Sequence, residues 1–250
     1  MNRREYLAAA AALTGGLAGC AGSPAGAATT SPTATPRPAE PVARSGVPQN
    51  VCEEPVRDID IIEIVDPAFG PDWGDVEVGG QYGELTDEDV IVGVERDGSA
   101  RAYPLAILWY HEIVNDDFGG PLLASYCPLC KSGIVAERRV EAEPTTFRVS
   151  GLLWRPEGIR AEAAKSANRV FGADMTSGET EVLNAGNLVM VDDATGSYWS
   201  QLLARAICGA RNGDELTIVP STVARWGEWR ADHPETDILL PPPASGIASD

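Results

Sequence analysis

The segment Cys127–Cys130, with the sequence CPLC, contains the residues best suited to chemistry in this 250-residue chain. Two thiols separated by two residues can form a disulfide, exchange disulfides with a partner, or bind one metal ion together. The other cysteines, Cys20, Cys52 and Cys208, each stand alone in the sequence. The spacing therefore indicates a type of chemistry and does not identify a substrate.

The first hypothesis is thiol–disulfide exchange, in which a thiolate of Cys127 or Cys130 attacks a disulfide or an oxidant and the other cysteine resolves the intermediate. Outside the cytoplasm a cysteine pair of this kind is rarely left as two free thiols. A thioredoxin-type enzyme needs the pair at a helix N-terminus within βαβ units, and the sequence does not predict that arrangement. His111 is the nearest candidate to assist the two cysteines.

The second hypothesis is metal binding by Cys127 and Cys130, with His111 as a third ligand. A CPLC turn on a hairpin resembles the knuckle that presents two sulfurs to zinc, and sulfur with imidazole also suits copper. A structural zinc site takes four ligands. The others would be isolated residues, Cys52, Cys208 or His233. His111 on an apolar helical face also fits a packed, hydrogen-bonded core histidine.

The third hypothesis is a non-catalytic surface-binding module whose cysteines are structural. Four cysteines remain beyond Cys20, an even number that allows three disulfide pairings, and Cys52 with Cys208 is one candidate pair. A bridge across the short loop from Cys127 to Cys130 would be easily reduced. That bridge is therefore interpreted as functional and not as structural. The sequence neither assigns the protein to the enzymes nor excludes it from them.

The N-terminal residues 1–19 predict an export signal. Arg3 and Arg4 indicate the twin-arginine route, and the apolar run from Leu7 to Gly19 is shorter than the roughly 20 residues that span a bilayer. The sequence LAGC ending at Cys20 resembles a lipobox, in which that cysteine becomes lipidated. The prediction is a lipoprotein on the outer face of the cell membrane, bound to the membrane through the lipid. Ordinary secretion with nearby cleavage is the alternative.

Residues 20–48 are rich in Ala, Ser, Thr and Pro and contain almost no large apolar side chains. Such a segment cannot bury enough surface to offset the entropy of ordering, so it is predicted to be a disordered linker. The remaining residues, 49–250, are long enough for one well-buried core. We therefore expect a single domain held away from the membrane.

The chain is strongly acidic, with 37 acidic residues, 19 basic residues and a net charge of −18. This charge makes nucleic acid an unfavourable partner. Only Lys131 and Lys165 are lysines. Acidic, lysine-poor composition is typical of proteins from near-saturated salt, where screening weakens the repulsion between carboxylates. Ordinary acidity is the alternative interpretation.

The hydrophobic pattern predicts an α+β fold, mainly antiparallel β with two or more short helices, in a single domain. Asp97 and Gly98 indicate the turn of a hairpin. Helical spacing predicts a helix over 105–114, and a second helix capped by Ser221 is expected to carry Val223, Trp226 and Trp229. Strands are expected at 121–126, 134–140, 147–154, 188–191 and 238–240, with a polar excursion at 155–183.

Two groups of residues on these predicted elements include polar side chains. Glu112 and Asp116 lie four residues apart at the end of the first predicted helix, where they fit either an acid–base pair or a solvated face and helix end, and the second interpretation is favoured. Ser197, Trp199 and Gln201 alternate along a strand, which predicts a polar and aromatic face there.

Five ordered blocks of the sequence resemble the domain of unknown function 3179 family. They are residues 101–105, 111–116, 126–130, 149–153 and 192–201. The resemblance covers roughly 63–240 and assigns the 49–250 domain to that family, with an insertion near 155–183. The family usually has glycine where this chain has Lys131. The positive charge of Lys131 would lower the pKa of a neighbouring thiol. Some relatives are described as selenoproteins, so the resemblance implies redox chemistry.

Overall fold

A computed structural model describes residues 53–56, 60–128, 130–154 and 187–248 of the chain. The predicted export signal, the linker with Cys20, Cys52 and the predicted insertion at 155–183 lie outside the described residues. Within the described ranges, no helix is long and apolar enough to cross a membrane.

The described residues form mostly β-structure with two short helices. The strands in chain order are β1 (Ile64–Asp66), β2 (Phe69–Gly70), β3 (Val90–Arg96), β4 (Ser99–Pro104), β5 (Ile113–Asp117), β6 (Pro121–Cys127), β7 (Ser132–Glu137), β8 (Arg139–Val140), β9 (Glu143–Pro144), β10 (Phe147–Trp154), β11 (Asn187–Asp192), β12 (Tyr198–Ser200), β13 (Arg205–Cys208), β14 (Thr222–Arg225), β15 (Asp237–Leu239) and β16 (Gly246–Ile247). The helices are α1 (Leu105–His111) and α2 (Trp226–Asp232).

The strands assemble into three larger sheets and one small ribbon. The first sheet has the order β16-β1-β5-β6-β7, the second β14-β3-β4-β15-β2 and the third β10-β11-β12-β13, while β8 pairs with β9. Strand β1 is parallel to β5, and β4 is parallel to β15; the other pairings among the described strands are antiparallel. The expected β-rich fold with short helices is confirmed, and its sheets are partly mixed.

The hairpin predicted from Asp97 and Gly98 is present between β3 and β4. Both residues have positive φ angles, 51° and 81°, which is the backbone that a two-residue primed turn requires. Pro104 then precedes α1. The chain thus enters the first helix where the sequence predicts it.

The first helix ends earlier than the sequence predicts. It stops at His111, and β5 begins at Ile113. The β-branched residues Ile113 and Val114 pair with β6, and this cross-strand pairing outweighs their helical spacing. Glu112 and Asp116 therefore do not share a helix. Both are also buried, with exposed fractions of 4% and 3%, so the favoured solvated-face interpretation is wrong.

The second helix begins later than predicted, at Trp226. Residues Thr222–Arg225 form β14, which pairs with the edge of β3. Ser221 therefore does not cap the helix, and Val223 is a strand residue that is 70% exposed. An available sheet edge and strand-favouring residues account for the difference.

Strand β6 lies between two hydrophobic clusters. Its residues Leu122 and Ala124 pack in a first cluster with residues of α1, α2 and the second sheet. Leu123 and Cys127 face a second cluster built largely from the third sheet. Because alternate side chains of a strand point to opposite faces, β6 is buried on both sides. The strand that carries the first cysteine of the CPLC motif is therefore held from both faces.

Candidate functional site

The CPLC motif forms the tip of the hairpin between β6 and β7. Cys127 is the last residue of β6 and lies opposite Ser132, the first residue of β7. A disulfide joins Cys127 to Cys130, with 5.1 Å between their Cα atoms. Lys131 completes the turn with a left-handed φ of 52°, a backbone that a side chain disfavours and glycine accepts easily.

The two sulfur-bearing residues have different environments. Cys127 is fully buried in the second cluster, whereas Cys130 is only partly buried at its edge. The backbone N–H of Cys130 donates a hydrogen bond to Sγ of Cys127, at 3.1 Å. A donor aimed at a sulfur stabilises its thiolate. The arrangement thus places a fully buried cysteine, whose sulfur receives one N–H donor, beside a cysteine that is partly exposed.

Gln201 connects the cysteine hairpin to the third sheet. Its Nε2 donates to Ser125 Oγ at 2.9 Å, and its Oε1 accepts from Ser132 Oγ at 3.2 Å. Gln201 is completely buried and follows the end of β12. Ser132 is the partner of Cys127 across the hairpin. This one amide therefore ties both strands of the hairpin to a second structural layer.

His111 lies at the end of α1 and uses both ring nitrogens in hydrogen bonds. Nδ1 donates to the Ile62 carbonyl oxygen at 2.6 Å, which leaves Nε2 of the neutral ring to accept from the Tyr82 hydroxyl at 2.7 Å. Burial lowers the pKa of His111, which favours that neutral ring. Neither bond reaches a cysteine sulfur. The structure places His111 as a packed, hydrogen-bonded side chain, and a role beside the cysteines stays a prediction.

The remaining candidate metal ligands lie in other surroundings. Nε2 of His233 is 3.6 Å from a carboxylate oxygen of Glu95, and the ring packs on Trp229 with 4.0 Å between ring centroids. Cys208 is disulfide-bonded, while Cys52 lies outside the described residues. In the part of the chain that the structure describes, no group of three or more His, Cys, Asp or Glu side chains is placed to hold a metal ion.

Two polar residues that follow α1 stabilise the fold. The Asn115 side chain makes hydrogen bonds to both the N–H and the carbonyl of Phe147, which attaches β5 to β10. Asp116 accepts hydrogen bonds from Arg101 at 2.7 Å and from the Tyr103 hydroxyl at 2.6 Å. Burial, with the nearby Asp116 charge, raises the pKa of Tyr103 well above its ordinary value. These residues of the 111–116 block thus connect strands.

Glu112 differs from its neighbours because its buried carboxyl has no hydrogen-bond partner among the described residues. Burial raises the pKa of Glu112 to about 7. Its backbone has a φ of 55°, and its carbonyl oxygen accepts the N–H of Tyr126, the residue before Cys127, at 2.8 Å. The sequence offers Glu112 as half of an acid–base pair, but the predicted helix favours a solvated face and so gives no sign of its burial. Its place in the 111–116 block was the available signal.

The 192–201 block begins with a buried turn and ends at Gln201. The Asp192 carboxylate accepts from the backbone N–H of Thr195 at 2.6 Å and from the indole N–H of Trp199 at 2.8 Å. Ser197, Trp199 and Gln201 are all buried, so the side chains of the predicted polar and aromatic face lie inside the protein. The sequence pattern places Gln201 on a polar and aromatic face but does not identify it as the residue that braces the cysteine hairpin.

The fold and the site define a class of protein that is mostly β-sheet and has a disulfide at the tip of a central hairpin. The chain belongs to the family described as "Protein of unknown function (DUF3179)", whose model matches residues 60–161 and 160–246. The two matched segments meet within 155–183, where the sequence predicts an insertion. No curated protein and no solved structure matches the chain.

Proposed function

We propose that Cys127 and Cys130 form a redox-active pair that exchanges its disulfide with thiols of a partner. The single observation that carries this proposal is the asymmetric disulfide at the hairpin tip, with Cys127 buried and Cys130 partly exposed. An accessible sulfur can be attacked from solution, while a buried sulfur is protected from the wrong nucleophile.

The exchange follows from this asymmetry. A partner thiolate attacks Sγ of Cys130, a new sulfur–sulfur bond forms, and the Cys127–Cys130 bond breaks. The electron pair of that bond goes to Sγ of Cys127, the sulfur to which the N–H of Cys130 donates a hydrogen bond in the disulfide form. A second thiol of the partner then attacks the partner's own sulfur in the mixed disulfide, which forms the partner's disulfide and releases the Cys130 thiolate. The partner leaves oxidised by two electrons, Cys127 and Cys130 are reduced to thiols, and the two protons released by the partner end on those thiols.

Metal binding by Cys127, Cys130 and His111 is less well supported. Both His111 nitrogens already hold other groups, and the described residues supply no set of three or more grouped donors. A surface module with purely structural cysteines needs no difference in exposure between the two sulfurs. The difference in their burial therefore favours exchange chemistry.

The proposal includes the cellular setting that the sequence predicts. The chain is exported, lipidated at Cys20 and held at the outer face of the membrane as a single domain, in an environment where disulfides persist. Its acidic composition suits high salt. These features give the cysteine pair access to thiols of other exported proteins.

Peptide mapping of the full-length chain tests the exchange. Cleavage after Arg101 and Lys131 releases a 102–131 peptide in which the cysteines are Cys127 and Cys130. We expect this peptide to resist alkylation before treatment with dithiothreitol and to gain two labels afterwards, with the protein still folded. The reduced chain should in turn reduce a disulfide-containing peptide.

Two results would overturn the proposal. One is a 102–131 peptide that takes no label before or after reductant in the folded protein. The other is metal bound in stoichiometric amount by the wild type and lost from a Cys127→Ser variant, which would favour the metal hypothesis.

A further inference from the structure

The turn that follows β12 presents two leucines to solvent beside the cysteine hairpin. Leu202 is 58% exposed and Leu203 is 39% exposed. The residues on either side are buried: Gln201 completely, and Ala204 to 6% exposure. An adjacent pair of exposed leucines at the tip of a turn leaves apolar surface in contact with water. Binding to another molecule would remove that surface from water.

The base of this turn contacts the hairpin that carries the disulfide. Gln201 makes hydrogen bonds to Ser125 and Ser132 on the two strands of the hairpin. Ala204 packs in the same cluster as Cys127, at whose edge Cys130 lies. The leucine pair therefore projects from a turn anchored on both sides of the disulfide hairpin.

Unfavourable backbone conformations occur in both segments. Lys131 in the hairpin turn and Ala204 at the end of the leucine turn have left-handed φ angles of 52° and 47°. Such conformations cost about 1–2 kcal/mol for residues other than glycine, so the surrounding packing must impose them. The hydrogen bond between Ser132 and Gln201 brings the two turns together.

We propose that Leu202 and Leu203 form a docking surface that selects polypeptide thiols flanked by apolar residues as the partners of Cys130. This inference rests on the exchange activity proposed above. A low-molecular-weight thiol has too little apolar surface to cover two leucines. In dilute buffer the net charge of −18 also disfavours acidic partners, which leaves neutral or basic polypeptide segments; high salt screens this repulsion.

Rates of exchange with matched probes test the docking surface in the full-length chain. One synthetic peptide has leucine and valine beside a single cysteine, a second of equal length and equal charge has serine and glutamine, and dithiothreitol is the third probe. We expect the oxidised wild type to react about tenfold faster with the apolar peptide than with the polar one. A Leu202→Ser/Leu203→Ser variant should lose that preference and keep its rate with dithiothreitol.

The control is Val223→Ser, because Val223 is 70% exposed on β14 in a different sheet. That change should leave both peptide rates as they are. Equal rates with the two peptides in the wild type would overturn the docking surface, as would a preference that survives in the double serine variant. A chain that reacts with dithiothreitol but shows no preference keeps the exchange function. A chain that reacts with none of the three probes loses both proposals.

Discussion

The side-chain oxygen of Gln201 accepts a hydrogen bond from the hydroxyl of Ser132, at 3.2 Å, across two sheets that share no strand. Ser132 is the partner of Cys127 in the hairpin. The buried amide therefore links the position of the cysteine strand to the third sheet. Loss of this link should affect both stability and the geometry of the disulfide.

Gln201→Leu is expected to destabilise the protein by about 2–4 kcal/mol. The replacement has a similar size but leaves the hydroxyls of Ser125 and Ser132 without their partner in a buried site. Urea unfolding followed by tryptophan fluorescence gives the change in unfolding free energy. The matched control is Gln81→Leu at an exposed position, which should change stability by less than about 0.5 kcal/mol. Equal effects at the two positions would contradict the brace.

The two single-cysteine variants should differ in reactivity. Cys127→Ser leaves a free thiol at partly exposed Cys130, which should form a mixed disulfide readily with an aromatic disulfide reagent. Cys130→Ser leaves the thiol at fully buried Cys127, which should react at least about tenfold more slowly. Stopped-flow absorbance measures both rates. Equal rates in the folded state, or the reverse order, would show that the two sulfurs do not have the assigned roles.

Glu112→Gln should change the pH dependence of stability. The pKa of Glu112 rises from 4.5 when unfolded to about 7 when folded, so the native state loses stability as pH rises from about 4.5 to 7. This shift corresponds to about 3 kcal/mol above pH 7. The glutamine variant has no charge to bury there. It should therefore be more stable than the wild type at pH 8 and equal to it near pH 4.

Denaturant unfolding at the two pH values measures the effect of Glu112→Gln. Glu63→Gln is the control, because Glu63 is also buried but its carboxylate already accepts a hydrogen bond from Val149. No gain in stability is expected from that change at pH 8. A Glu112→Gln variant that is less stable than the wild type at pH 8 would rule out an unpartnered buried charge at this position.

Asp116→Asn should destabilise the protein by about 3–5 kcal/mol. The carboxylate is 3% exposed and pairs with Arg101, which itself packs on the rings of Phe69 and Phe118. Loss of the negative charge leaves a partly buried guanidinium without its counterion. Thermal unfolding should show the loss directly. Glu88→Gln breaks the more exposed pair with Arg225 and should cost less than about 1 kcal/mol.

Cys20→Ser should release the protein from the membrane. The substitution removes the thioether that a lipoprotein signal requires, so lipid attachment and membrane retention should be lost together. Membrane fractionation and intact mass of the exported chain provide the two measurements. A wild-type chain recovered without added lipid mass, or a serine variant that stays bound, would contradict lipidation at Cys20.

Local sequence signals predicted much of the framework around the site. Asp97 and Gly98 specified a tight hairpin because both can adopt positive φ, and the apolar residues of 147–154 and 188–191 predicted the strands β10 and β11. The CPLC spacing likewise identified the one cysteine pair close enough in sequence to react together. These features depend on interactions between near neighbours, which a sequence pattern records.

The tertiary structure decided which residues the site contains and how each cysteine is exposed. Helical spacing placed Glu112 in water, yet strand pairing ended α1 and buried it beside Tyr126. Gln201 lies 69 residues from Ser132 in sequence, so no local pattern could predict their hydrogen bond. The sequence by itself determined that two cysteines can share a disulfide. Only long-range packing decided that Cys127 is buried and Cys130 accessible, because burial depends on the strands and turns that assemble around β6.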